Sequence, residues 1–176
     1  MHIWIGCLLP EGFEKELREV CSPLGQELGL DTVAFSLPQH ISLKISFPFD
    51  GDVQALLDYL TELLKNQPSF TVHPKPIERQ GNILWIPFAE NGQLRHLHNL
   101  LDDQLKKDFS VQQHLFDKAF LFHSTLFFGA EDKLEQARQA LQSFPMPAEL
   151  RVSAFVIGIS ETGQPGSYRV VRTIML

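Results

Sequence analysis

Cysteine is scarce in this sequence, and the two that occur, Cys7 and Cys21, fall in an apolar strand-like run and on the apolar stripe of a helix. Both read as small core residues, so no disulfide staple is expected and the setting is a reducing, cytoplasmic one. Long hydrophobic runs are missing too. The longest apolar stretches are much too short to span a bilayer, and Met1-His2-Ile3-Trp4-Ile5 lacks the basic start and small-residue cleavage site of a signal peptide. No membrane partner is expected. Clustered positive charge is also lacking: 15 basic against 21 acidic side chains give a net charge of −6, and Lys106-Lys107 is the one basic pair. A long nucleic-acid track is not expected, because nonspecific affinity for polyanions comes mostly from counterion release by grouped Lys and Arg.

What is present is a regular alternation of strand and helix patterns within a length suited to one domain, residues 1–176. Ile3, Ile5, Cys7 and Leu9 share one side of a strand, and Pro10 with Glu11 and Glu14 opens a helix whose inward stripe runs from Phe13 to Leu28 before Gly29 ends it. Gln39 to Phe47 returns to period two, with Ile41, Leu43, Ile45 and Phe47 on one face and His40, Ser42, Lys44 and Ser46 on the other. A helix from Val53 and a strand from Phe70 to Ile77 complete this series. After the Gly81-Asn82 turn the order repeats: strand Ile83–Phe88, helix Gly92–Asp108, strand Phe120–Phe128, helix Glu131–Phe144 and strand Leu150–Ser160. A turn-rich loop then leads to a closing strand from Tyr168 to Leu176. Ile3 matches Ile83, His40 matches His123 and Phe70 matches Leu150, an offset of roughly eighty residues. The expectation is an α+β, bilobal, duplicated domain with repeats approximately 1–80 and 81–176. Its two antiparallel-rich sheets would surround a central cleft, with helices outside and a pseudo-two-fold axis relating the lobes.

The duplication doubles one chemical arrangement. Residues i and i+2 of a strand point to the same face, so His40 with Ser42 and His123 with Thr125 each place an imidazole beside a hydroxyl. Two histidines facing each other across a cleft suit general acid–base work on a phosphodiester, since each carries or accepts a proton near neutral pH while hydroxyls hold the anionic oxygens. No nucleophilic side chain is needed. No Cys or acidic cluster accompanies the histidines at ligand spacing, so neither a metal nor another cofactor is expected. Lys44, on the polar face of the His40 strand, and Arg169 are placed to reach a phosphate. Among the aromatic residues Phe109, Phe116, Trp85 and Tyr168, the last is the candidate for stacking on a base. His96 and His98 splay by about 200° on their helix and are expected to face solvent. His2, His73 and His114 lack a matched polar partner and read as structural.

His40-Ile41-Ser42-Leu43 and His123-Ser124-Thr125-Leu126 resemble the paired H-x-[ST]-h motifs of the two-histidine (2H) phosphoesterase superfamily. That superfamily includes the RNA 2′,3′-cyclic phosphodiesterases, historically called 2′-5′ RNA ligases, which the sequence resembles. The resemblance extends over nearly the whole chain, including the opening strand-Pro-helix and the closing strand Tyr168-Arg169-Val170-Val171. It implies a metal-independent cyclic phosphodiesterase in which His40 donates a proton to the leaving oxygen, His123 accepts one from water, and Ser42 and Thr125 bind phosphate. Two features depart from the pattern. Ser124 stands where an apolar residue is usual, and Ile45 and Phe128 stand where RNA-directed members often carry an arginine. The expected substrate is therefore a nucleotide or a short RNA end with a cyclic phosphate, acted on by a monomer. A nucleotide- or RNA-end-binding module without catalysis, and a 2′-5′ RNA ligase, are the alternative functions.

Overall fold

The computed structural model describes all residues, 1–176. Its elements are β1 (His2–Leu8), α1 (Glu11–Leu28), β2 (His40–Pro48), α2 (Val53–Leu64), β3 (Phe70–Val72), β4 (Glu78–Gln80), β5 (Ile83–Pro87), α3 (Gly92–Phe109), β6 (His123–Phe128), α4 (Glu131–Ala140), β7 (Leu150–Val152), β8 (Ala154–Ser160) and β9 (Arg169–Met175). The class is α+β, with every named strand pair antiparallel. No helix is long and apolar enough to cross a membrane.

Helix ends follow local chemistry. Gly29 adopts φ 62°, the left-handed conformation that costs glycine little, and closes α1 with N–H bonds to the carbonyls of Gln26 and Gly25. Asp52 starts α2 by accepting the N–H of Ala55, and Asn91 starts α3 by accepting those of Gln93 and Leu94. The apolar stripes of all four helices enter one continuous core. Leu17, Cys21, Leu56, Leu60, Leu97, Leu101 and Leu134 join Ile3, Ile5, Ile41, Leu84 and Phe155 there.

The strands form a four-stranded sheet in the order β2-β1-β8-β9, a three-stranded sheet β4-β5-β6 and a two-stranded ladder β3-β7. Three expected strands prove shorter or divided, and the one expected from Phe120 begins only at His123. The run from Phe70 ends at Val72, since Pro74 and Pro76 lack the N–H that would extend the ladder, and β4 begins afresh at Glu78. Leu150–Ser160 is two strands rather than one. Residues before Ser153 pair with β3, and those after it pair with β1 and β9.

Bulges set which side chains reach the site. Between the partners Gly6↔Ser42 and Ile5↔Lys44, β1 advances one residue while β2 advances two, so Leu43 is the extra residue. In the other sheet Trp85↔Thr125 is followed by Leu84↔Phe127, and Leu126 is extra. Each bulge falls directly after the hydroxyl residue of its motif.

Candidate active site

The two motif strands lie alongside each other, and a hydrogen bond joins them at the motifs themselves. Ser124 Oγ donates to Gln39 Oε1 at 2.7 Å. Both residues are buried, one directly after His123 and the other directly before His40. The polar residue in the middle of the second motif thus has a structural purpose. An apolar side chain there would leave the Gln39 side-chain amide oxygen without a donor.

Each histidine is held in the same way. The ring Nδ1 of His40 lies 2.7 Å from the carbonyl oxygen of Pro38, and that of His123 lies 2.8 Å from the carbonyl oxygen of Leu121. A carbonyl oxygen only accepts, so the Nδ1 proton is fixed in both rings and Nε2 is left to take or give the second proton. A tryptophan flanks each imidazole: Trp4 at 4.1 Å from His40 and Trp85 at 4.2 Å from His123, between ring centroids. Gly6 and Gly158 make room for Trp4, whose ring atoms would lie 2.9 and 2.7 Å from a Cβ at those positions. Trp4 Nε1 donates to Ser42 Oγ at 3.1 Å, leaving the Ser42 hydroxyl proton free to point elsewhere. The Trp85 indole N–H is buried without a partner.

Both imidazoles are less basic than a free histidine. Burial pulls His40 down to about 4, the Pro38 carbonyl opposes this, and the nearby His123 charge lowers it further. Burial also lowers His123, with the Leu121 carbonyl acting against it. Both rings are therefore neutral at pH 7 in the free protein, and an anionic ligand between them would favour protonation.

A cleft of about 440 Å³ opens beside these residues. It is lined by Ser42 and His123, by the apolar side chains of Ile45, Ile83, Trp85, Phe116 and Leu121, and by Ser46 and Gln80 among others. Thr125 is half-buried on the same strand as His123.

Two expectations are corrected, those for Lys44 and His98. Lys44 does not face a phosphate: the bulge at Leu43 turns it to the buried side, 1% exposed, where its ammonium pairs with Asp102 and Asp117. Ile45 takes its place on the cleft. Arg169 is exposed at the start of β9, in a separate hollow with Met1, Ser160, Glu161 and Ser167. His98, expected in solvent, is buried, with its ring nitrogens 2.7 Å from the Leu43 carbonyl oxygen and 3.1 Å from that of Asp117. Its place on the three-and-four stripe with Leu94, Leu101 and Leu105 accounts for the burial, and the segment around Asp117, folded back over that face of α3, supplies a polar partner for the imidazole. Tyr168 is half-buried and does not line the cleft, but its hydroxyl is bonded to Ser46 Oγ, which does. The apolar wall formed by Phe116 and Leu121 carries no motif that would mark it in the sequence.

The chain matches the 2′-5′ RNA ligase superfamily over residues 12–164. No curated protein sequence matches it significantly. Among solved structures, TT0787 of Thermus thermophilus is similar with a TM-score of 0.63 at 19% identity, covering 100% of this chain and 98% of that one. Escherichia coli LigT complexed with 3′-AMP gives 0.65 at 16% identity over 99% and 97% of the two chains. Usb1 of Kluyveromyces marxianus gives 0.58 at 10% identity over 99% and 98%. At these identities the structures establish a shared fold.

Proposed function

The chain belongs to the 2′-5′ RNA ligase superfamily, and from that premise we propose that it is a metal-independent cyclic phosphodiesterase hydrolysing the 2′,3′-cyclic phosphate of a nucleotide or short RNA end. The observation that carries this reading is the matched pair of imidazoles, each with Nδ1–H tied to the carbonyl two residues earlier and Nε2 left for proton transfer.

In the proposed reaction His123 Nε2 removes a proton from water as the water oxygen bonds to phosphorus. The bond from phosphorus to one ribose oxygen breaks, and His40 Nε2–H protonates that oxygen, leaving a phosphomonoester and a free hydroxyl. His40 must be charged to act as the acid. The anionic diester supplies the opposite charge that offsets its burial, so protonation and binding are coupled. Ser42 and Thr125 donate to the phosphoryl oxygens. No three His, Cys, Asp or Glu side chains converge to hold a metal ion, and proton transfer between two imidazoles calls for none.

Structures of E. coli LigT with 3′-AMP, NADP+, ATP and phosphate support a nucleotide as the ligand here. Ligation to a 2′-5′ linkage is the same step with a ribose hydroxyl in place of water, and the family description names it. Two lobes related by duplication also fit the matched bulges and the β3-β7 ladder. There Phe70 pairs with Val152 and Val72 with Leu150, the exchange that a two-fold axis between repeats would produce. A reducing, cytoplasmic setting suits the two buried free thiols. A panel of 2′,3′-cyclic nucleotides, linear diesters and oligonucleotides with cyclic ends tests the assignment. Hydrolysis of the cyclic phosphates alone is expected, and activity confined to linear diesters would refute it.

A further inference from the structure

Lys44 is the one lysine with a buried side chain, and both of its carboxylate partners lie outside its own strand: Asp102 on α3 and Asp117 in the 3-10 turn Leu115–Ala119. Buried ions carry a desolvation cost of several kcal/mol each and stabilise little by themselves. What this cluster does is hold one segment. Asp117 Oδ2 also accepts the His114 N–H at 2.6 Å, and Asp102 Oδ2 accepts from Gln113 Nε2 at 2.6 Å. His98 spans the Leu43 and Asp117 carbonyl oxygens, and its ring stacks on Phe120 at 4.4 Å. The ties of residues 113–120 thus run inward to Lys44, Asp102 and His98.

Apart from the exposed Lys118, the outer side of the same segment is apolar and bare. Leu115, Phe116 and Leu121 are 77%, 65% and 60% exposed, half of the six large hydrophobic side chains that the chain exposes. Phe116, Phe120 and Leu121 face Ile45 and Ile83 across the cleft, and neither Lys nor Arg lines it. Grouped exposed apolar side chains at a cleft mark a ligand surface. The cleft also has direction. Trp85 stands beside His123, and Ile83 lies two residues further along β5, about 7 Å away. Gln80, paired with Ile83 in register, brings an amide to that far end.

We propose that Lys44 is a positioning residue: through Asp117 it fixes the 115–121 segment as an apolar wall that receives the flat base of a mononucleotide whose phosphate lies at the histidines. This rests on the cyclic-nucleotide reading of the site. A continuing polyanionic strand would find no Lys or Arg in the lining of the cleft, the exposed Lys118 of this segment lying outside it, whereas a neutral aromatic ring finds Phe116 on one side and aliphatic carbon on the other.

Phe116→Ala, Lys44→Met and Asp117→Asn test it through KM and kcat on a 2′,3′-cyclic mononucleotide, alongside inhibition by inorganic phosphate. Phe116→Ala removes an exposed ring, so folding is preserved. KM should rise about tenfold with kcat within about twofold, and phosphate inhibition should not change. Lys44→Met should show the same split, and if it does not fold, Asp117→Asn, which keeps the volume and the Lys44–Asp102 pair, carries the test. Equal weakening of phosphate and nucleotide, a loss in kcat alone, or an unchanged KM would overturn the proposal. If even the wild type hydrolyses no cyclic nucleotide, the parent reading fails. Calorimetric binding of a 3′-mononucleotide against inorganic phosphate, in wild type and Phe116→Ala, then still decides the wall.

Discussion

Replacing His40 by Asn should change how the protein's stability responds to acid, by an amount that follows from the site. In the folded chain burial holds the His40 imidazole at about 4, against 6.5 for an ordinary histidine. Between those values the unfolded chain binds a proton that the folded chain does not, so stability is intact above pH 6.5 and falls as pH drops towards 4. Below that the loss is complete. The shift corresponds to a total of about 3 kcal/mol, a large share of a typical domain's 5–15 kcal/mol. Asn keeps a side-chain N–H for the Pro38 carbonyl but does not titrate. Urea unfolding at pH 7.5 and pH 4.5 gives the comparison: wild type should lose about 2–3 kcal/mol more than His40→Asn over that interval. Contributions from the carboxylates cancel in the difference, and that of His123 cancels apart from its smaller coupling to His40. Parallel losses in the two proteins would mean that His40 is not held neutral by burial, and the coupling of its protonation to substrate binding would go with it.

Other consequences are open to measurement. Ser124→Ala strands the buried Gln39 side-chain amide oxygen and should cost about 1–3 kcal/mol, while the Gln39→Leu/Ser124→Ala pair should recover part of it; strictly additive losses would deny the bond. The rate should rise and then fall with pH, its two limbs belonging to the coupled imidazoles, so a single limb would leave one histidine without a role. For a mononucleotide, the slope of log affinity against log salt should lie near −1, about −0.7 per phosphate contacted. A twenty-mer with the same cyclic end should give a similar slope, and a several-fold steeper one would reveal a basic track along the protein.

The alternation of the motif strands, the helix stripes and the paired histidines were legible because each depends on near neighbours in the chain. Strand parity was not. Leu43 and Leu126 look like ordinary inward residues, and only the register against β1 and β5 shows them to be bulged. That single extra residue moves Lys44 out of the site and Ile45 into it. The Ser124–Gln39 bond joins positions 85 residues apart, so a Ser at a customarily apolar place reads as a departure until the strands meet. The wall at Phe116 and Leu121 was hidden for a related reason. Its side chains look like core residues by composition, and only the inward pull on Asp117 leaves them facing out.

Initial rates on a 2′,3′-cyclic mononucleotide in the presence of a chelator, for wild type, His40→Ala and His123→Ala, bear most directly on the two-histidine mechanism. Wild type should produce the phosphomonoester at an undiminished rate, and each folded variant should be slower by at least about a hundredfold. Near-native turnover in either folded variant, or activity lost to the chelator and restored by a divalent ion, would contradict it.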